Sequence, residues 1–292
     1  MFVNIKSENS LMPFFAVLAA VVLWSSSFTA TRIALRELSP MSVVWVRMTI
    51  GVLVVAPFAL RRFPKKVSFG EVKLLVFMAL LQPCLYFMLE ANALRFTTAS
   101  QAGVISSTVP MFVAVLSAFF LGEKTGRVAV AGLLVSVSGV GWMTYFCGGD
   151  AKASDPLLGN MLEFGAMAAA AGYMVLTRKL SSKFDPWVLT FIQTAGGAVF
   201  FAGGVTGLGA EWSTELTLAL LYLGIFVSIG GFGLYNWGIS KIPATRASSF
   251  INLIPVFAVM IGWSVLGESL SLMQLAGAGI IVAGVYLAQR KP

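Results

Sequence analysis

Long apolar runs alternate with short polar breaks along the whole chain, and each run has about the length of a bilayer crossing. Ten runs stand out, at residues 12–34, 41–61, 72–93, 99–121, 127–146, 157–178, 187–207, 216–238, 245–266 and 272–289. An α-helix rises about 1.5 Å per residue, so about 20 apolar residues cross a hydrocarbon core about 30 Å thick. The breaks hold turn-forming and charged residues. Examples are Ser39-Pro40, the segment from Arg61 to Lys66, Gly122-Glu123-Lys124, Gly148-Gly149-Asp150 and Asp185-Pro186. The pattern predicts an all-α membrane protein of ten transmembrane helices.

Composition agrees. Apolar residues make up 58% of the 292 positions and charged residues only 11%, against about 25% charged in a soluble domain. Such a chain cannot cover its apolar surface with polar groups in water, whereas lipid removes the need. The net charge of +8 does not imply nucleic acid, because the basic residues lie in short loops between the runs. One alternate set of loops, with both termini, holds most of them, including Lys6, Lys65, Lys66, Lys124, Arg178 and Lys241; the other set holds Arg32, Arg36, Arg95 and Lys152. That bias predicts cytoplasmic termini in a multi-pass protein of a bacterial inner membrane. The first run, preceded by Lys6, is expected to be a retained helix. Phe28 spoils the small-residue pattern that a signal-peptide cleavage site needs. Trp45, Trp142, Trp187, Trp212, Trp237 and Trp263 fall near run ends, as in an interfacial belt, while Trp24 falls mid-run. Cys84 and Cys147 suggest neither a disulfide nor a metal site.

The two halves repeat. Thr31-Arg32 and Ser39-Pro40 match Thr177-Arg178 and Asp185-Pro186 at an offset of 146. Pro110 and Leu121-Gly122-Glu123 match Pro255 and Leu266-Gly267-Glu268 at 145, as Gly132 and Gly139 match Gly277 and Gly284. The expected units are residues 1–149 and 150–292, with five runs each. An odd number inverts the second copy in the membrane, which is the architecture of secondary transporters working by alternating access.

Several of these residues resemble the drug/metabolite transporter superfamily in its EamA-type branch. They are Trp24-Ser25-Ser26-Ser27-Phe28, Ala93-Leu94-Arg95-Phe96-Thr97-Thr98-Ala99, Thr108-Val109-Pro110 with Leu121-Gly122-Glu123, and Leu253-Ile254-Pro255 with Leu266-Gly267-Glu268. The resemblance covers nearly the whole chain. It implies ten helices, an inverted repeat, a central cavity and export of metabolites or drugs, with bacterial aromatic amino-acid exporters the most similar branch. The second half departs from the first at Ala170, where the repeat would place a counterpart of Trp24.

Polar side chains within spans usually face the bundle interior. Gln82, Tyr86 and Glu90 recur every fourth residue and share a helix face. Trp24, Ser27 and Thr31 share another; the sixth span offers Glu163, Tyr173 and Thr177, and the ninth Ser248 and Asn252. Pro110 and Pro255 interrupt matched spans, and paired interruptions point to a central site; Ser107 and Asn252 stand three residues before them. The candidate substrate-binding set is Trp24, Ser27, Gln82, Tyr86, Glu90, Ser107, Tyr173 and Asn252, with Pro110 and Pro255 as kink or gating positions. Plainer readings stand beside these: helix–helix hydrogen bonds for Ser and Thr, packing for Tyr86, a fixed kink for each proline, and an outward snorkel for Arg47. Glu90 and Glu163 are either titrating or interfacial.

Arg47 is the one basic residue deep in a span, so phosphorylated substrates are disfavoured and neutral or zwitterionic ones, such as aromatic or large neutral amino acids, fit better. There is no histidine for a proton relay and no P-loop motif for ATP. The function expected is a secondary exporter without metal or cofactor, acting as a monomer on a small-molecule substrate. A passive facilitator or channel, a drug exporter and a ligand-binding accessory subunit are the alternatives. A membrane enzyme is disfavoured because the spans lack a nucleophile–base pair.

Overall fold

The computed structural model describes residues 11–93, 95–97, 102, 105–146, 155–208, 212–266 and 272–290. Cys147, Lys152, the Gly148–Asp150 break, parts of the fourth span and Gly267-Glu268 lie outside the described residues, as do the side chains of Arg32 and Trp263.

No strand occurs among the described residues, and helices follow the predicted runs closely. α1 is Met12–Ala34 and α2 is Pro40–Arg61. α3 is Phe69–Ala93, and α4 has its regular part at Val109–Leu121. α5 is Arg127–Phe146, α6 is Pro156–Leu180, and α7 is Pro186–Phe200. α8 is Thr214–Lys241. α9 runs from Ala244 through Ile254–Leu266, and α10 is Leu272–Ala288. The breaks read as turns are helix starts. Ser39 and Asp185 accept from the backbone N–H groups of Ser42 and Trp187, with Pro40 and Pro186 in the first turn. Ser68 and Glu71 form a capping box on α3. Gly122 ends α4 at φ 68°, a left-handed conformation open to glycine.

Four helices are not the continuous spans expected. α3 breaks at Gln82, whose backbone is extended (φ −146°, ψ 122°), with a widened turn over Leu80–Leu85. α8 carries the same widened winding over Tyr222–Gly231. α4 is interrupted by a turn at residues 107 and 108, just before Pro110. α9 tightens to a 3-10 turn at Phe250–Leu253, just before Pro255. Each proline thus sits at the second residue of a restarted helix, where its missing N–H costs little. Met12–Thr31, Pro40–Arg61, Phe69–Ala93 and Thr214–Lys241 are long and apolar enough to cross a membrane, while Val109–Leu121 and Leu272–Ala288 are shorter apolar helices. The seventh run ends early, because a 3-10 turn at Ala202–Gly207 replaces its last part.

Large apolar side chains face outward all round: Leu53 is 70% exposed, Phe119 81% and Leu272 81%. In water that surface would aggregate, and in lipid it is the correct exterior. Trp142 and Trp212 are exposed, whereas Trp187 is wedged against Gly233 of α8. α5 and α10 meet backbone to backbone. A Cβ on Gly132 would lie 2.7 Å from the carbonyl oxygen of Gly284, and one on Gly139 would lie 2.8 Å from the amide nitrogen of Ile281.

At one end of the bundle, a polar knot joins four helices. Arg178, ending α6, donates from Nε to Glu123 Oε1 at 3.1 Å and from Nη1 to the carbonyl of Ser240, ending α8, at 2.6 Å. Glu123, after α4, accepts from the backbone N–H of Ala244, which opens α9, at 2.8 Å.

Candidate functional site

The interrupted helices surround one cavity of about 440 Å³, within the range of small-molecule sites. Irregular backbone at membrane depth survives only where protein packs on it or where it lines a cavity. The breaks at Gln82, Ser107 and Asn252 meet that condition, because all three residues line the cavity.

Its walls are largely aromatic and apolar. Trp24 on α1 leans on Tyr235 (ring centroids 5.0 Å) and on Phe232 (5.9 Å) of α8. Gly231 makes this possible: a Cβ there would lie 2.6 Å from the indole nitrogen. Phe87, Val140, Met167, Met174 and Phe232 are among the other apolar residues of the lining.

The polar groups are few and mostly anchored. Tyr86 donates to Glu90 Oε1 at 2.6 Å across one helical turn. Ser27 donates to the carbonyl of Trp24 at 2.7 Å. Ser106 donates to Glu163 Oε1 at 2.9 Å, joining α4 to α6. Asn252 donates from Nδ2 to Ser136 Oγ on α5 at 2.7 Å, and Arg47 from Nε to Ser228 Oγ on α8 at 3.0 Å. Gln82 Oε1 and Asn252 Oδ1 are buried acceptors with no donor among the described residues. Burying such an acceptor unpaired costs about 1–3 kcal/mol.

Of the residues singled out from sequence, Trp24, Ser27, Gln82, Tyr86, Glu90, Ser107, Asn252 and Pro255 line this cavity. Tyr173 does not. It is fully buried and donates to Asn236 Oδ1 at 2.7 Å, in a network where Asn236 Nδ2 reaches Gln193 Oε1 at 2.7 Å and Thr190 Oγ1 at 3.0 Å. That network clamps α6, α7 and α8. Pro110 is buried beside the cavity rather than on it, with Val109 at the wall. Thr177 and Ser248 are spent on packing, bonded to Met78 Sδ and the carbonyl of Thr245. The largest correction concerns Arg47. It does not snorkel: it is 7% exposed and faces the cavity. Its depth in a span was the available signal. Ser106, by contrast, gave none, since its role depends on Glu163 of another helix.

The profile of the EamA-like transporter family matches the chain twice, over residues 11–145 and 157–289. The transporter YcxC of Bacillus subtilis is 30% identical over 89% of this chain and 86% of its own length. A transporter of Archaeoglobus fulgidus is 27% identical over 93% and 96%, and the chloroplastic WAT1-related protein At3g02690 of Arabidopsis thaliana 27% over 96% and 70%. One solved structure superposes with a TM-score of 0.81 at 20% identity, over 94% of this chain and 97% of that one, a likeness of fold alone. With nearly its whole length matched, the chain belongs to the EamA-like transporter family of the drug/metabolite transporter superfamily and is a membrane transporter.

Proposed function

We propose that the protein is a secondary carrier that exports a small neutral or zwitterionic metabolite by alternating access, and that the metabolite is an amino acid with an aromatic or large apolar side chain. The observation that carries this reading is the composition of the cavity. Aromatic faces give an apolar side chain a wall, and two unpaired buried amide oxygens offer acceptors. Both profile-matched segments contribute, with Trp24 and Gln82 from the first and Phe232 and Asn252 from the second. Five helices in each segment make the second an inverted copy, and paired interruptions at the centre accord with a carrier that rocks about its site. The polar stripes predicted from sequence act as binding groups in this reading, with Pro255 and its counterpart Pro110 marking where the helices restart. The charge bias supports cytoplasmic termini in a bacterial inner membrane, and the site needs no second subunit.

Counterflow in proteoliposomes tests it. Vesicles loaded with one amino acid and exposed to its labelled form should accumulate label transiently and saturably, with phenylalanine, tryptophan and leucine ahead of aspartate and lysine. Flux linear in concentration without counterflow would replace the carrier with a passive facilitator. A preference for phosphorylated solutes would overturn the substrate class.

A further inference from the structure

The cavity wall carries one cation and one anion that form no direct ion pair. Arg47 and Glu90 both line it, yet no ion pair joins them; the pairs among the described residues involve other groups. Arg47 is anchored through Nε alone, to Ser228 Oγ, with its guanidinium 5.7 Å from the Phe87 ring centroid. The fork of terminal nitrogens has no other hydrogen bond among the described residues. Glu90 is likewise anchored through one oxygen, Oε1, by Tyr86. Each charged group is thus anchored by a neutral hydroxyl rather than by a direct ion pair.

A buried guanidinium left without a carboxylate is costly, and so is a buried carboxylate without a cation. Within a membrane such groups mark the path of a polar solute. An occupant with a negative and a positive end meets both demands at once, whereas an organic cation or anion meets one and leaves the other unpaired. Guanidinium matches carboxylate in a two-point fork. Resting on the carrier reading above, we propose that Arg47 and Glu90 are a split recognition pair for a zwitterion. Arg47 takes its carboxylate and Glu90 its ammonium group, with the apolar body lying against Trp24 and Phe232. These two residues, more than the amides, then decide that the substrate is amphoteric.

The test uses three ligands sharing one aromatic body: L-phenylalanine, phenethylamine, which lacks the carboxylate, and 3-phenylpropionate, which lacks the amine. Binding is measured by titration calorimetry on the full chain in detergent, with folding checked by gel filtration. Wild-type protein should bind phenylalanine at least about tenfold tighter than either analogue, as expected when a buried charge loses its partner. Arg47→Gln should reduce phenylalanine to the level of phenethylamine while leaving phenethylamine unchanged. Glu90→Gln should do the same relative to 3-phenylpropionate. Arg47→Lys, which keeps the charge but not the fork, should fall between wild type and Arg47→Gln, and it serves if the glutamine variant does not fold. Equal wild-type binding of either analogue overturns the pairing, as does equal weakening of all three ligands by Arg47→Gln, which is the signature of a scaffold role. Failure to bind any of them overturns it too. The counterflow result stands apart, since a carrier selective for other solutes survives each of these outcomes.

Discussion

Asn252 gives the cleanest separation of a ligand contact from a structural one. Its two amide atoms have different duties: Nδ2 donates to Ser136 Oγ at 2.7 Å, while Oδ1 is buried with no donor among the described residues. Asn252→Ala removes both, whereas Ser136→Ala removes the first, together with the serine's own bond to the carbonyl of Leu133, and leaves Oδ1 in place. The shared loss is one neutral hydrogen bond, worth about 1 kcal/mol of stability, so the two variants should unfold at similar detergent denaturant concentrations. They should part in transport. If Oδ1 accepts from the substrate, Asn252→Ala loses a further buried hydrogen bond of about 1.5 kcal/mol, or roughly tenfold in affinity. Ser136→Ala should stay within about twofold of wild type, because the bonds it loses, to Asn252 Nδ2 and to the carbonyl of Leu133, join protein groups to each other and leave Oδ1 in place. The measurement is the concentration dependence of counterflow with reconstitution levels matched. Equal half-saturation in the two variants would show that Asn252 is a brace and not a binding group.

Gly284→Ala should destabilise by about 1–3 kcal/mol, because the new methyl meets backbone atoms of Gly132 and Ser136 that cannot yield. Gly279→Ala, on the same helix with open space around it, should be neutral, and equal effects in SDS-driven unfolding would refute the packing argument. Tyr173→Phe leaves Asn236 Oδ1 without its donor and should cost about 1–3 kcal/mol with no change in the rank order of substrates; an altered order would move Tyr173 into the site. Glu123→Ala and Arg178→Ala should be non-additive by about 1–2 kcal/mol in a double-mutant cycle, since the pair is only partly exposed; additivity would mean the contact is worth nothing. Cysteines placed at positions 65 and 152 should label from the cytoplasm and from outside respectively, and labelling from one side would overturn the topology.

Much of this fold is legible in the sequence because lipid enforces a simple rule: a run of apolar residues becomes a helix. The run at 127–146 and the helix Arg127–Phe146 coincide, and Ser39-Pro40 and Asp185-Pro186 announced helix starts. Departures from regular winding were only half legible. Pro110 and Pro255 signalled their interruptions. The widened winding in α8 contains no proline to announce it, and the packing at its ends, Gly224 on Ile50 and Gly231 on Trp24, involves other helices. The site shows the same division. Helical spacing put Tyr86 and Glu90 on one wall, and they are there. Gln82 lines the cavity although the regular turn assumed between it and Tyr86 is broken. Tyr173 looked equivalent by spacing, yet its hydroxyl donates to the amide oxygen of Asn236 on α8, a partner invisible along the chain. Arg47 looked like a snorkelling side chain because nothing near it in sequence could receive it; Ser228 lies 181 positions away.

The glycine seam between α5 and α10 has a mechanical consequence. These helices close the first and second profile-matched segments, and where they touch, glycines bring backbone against backbone, with Leu287 and Ile281 packed close beside. Interlocked backbones resist sliding past one another, so on the carrier reading proposed above the seam is expected to act as a fulcrum for rocking of one half against the other. Displacement would then grow with distance from the pivot and be largest across the cavity, where the winding of α3, α4, α8 and α9 is irregular. Spin labels at positions 127 and 290 should keep their separation when ligand is added, while labels on α3 and α8 change theirs. A changed distance across the seam would instead make it one of the moving surfaces.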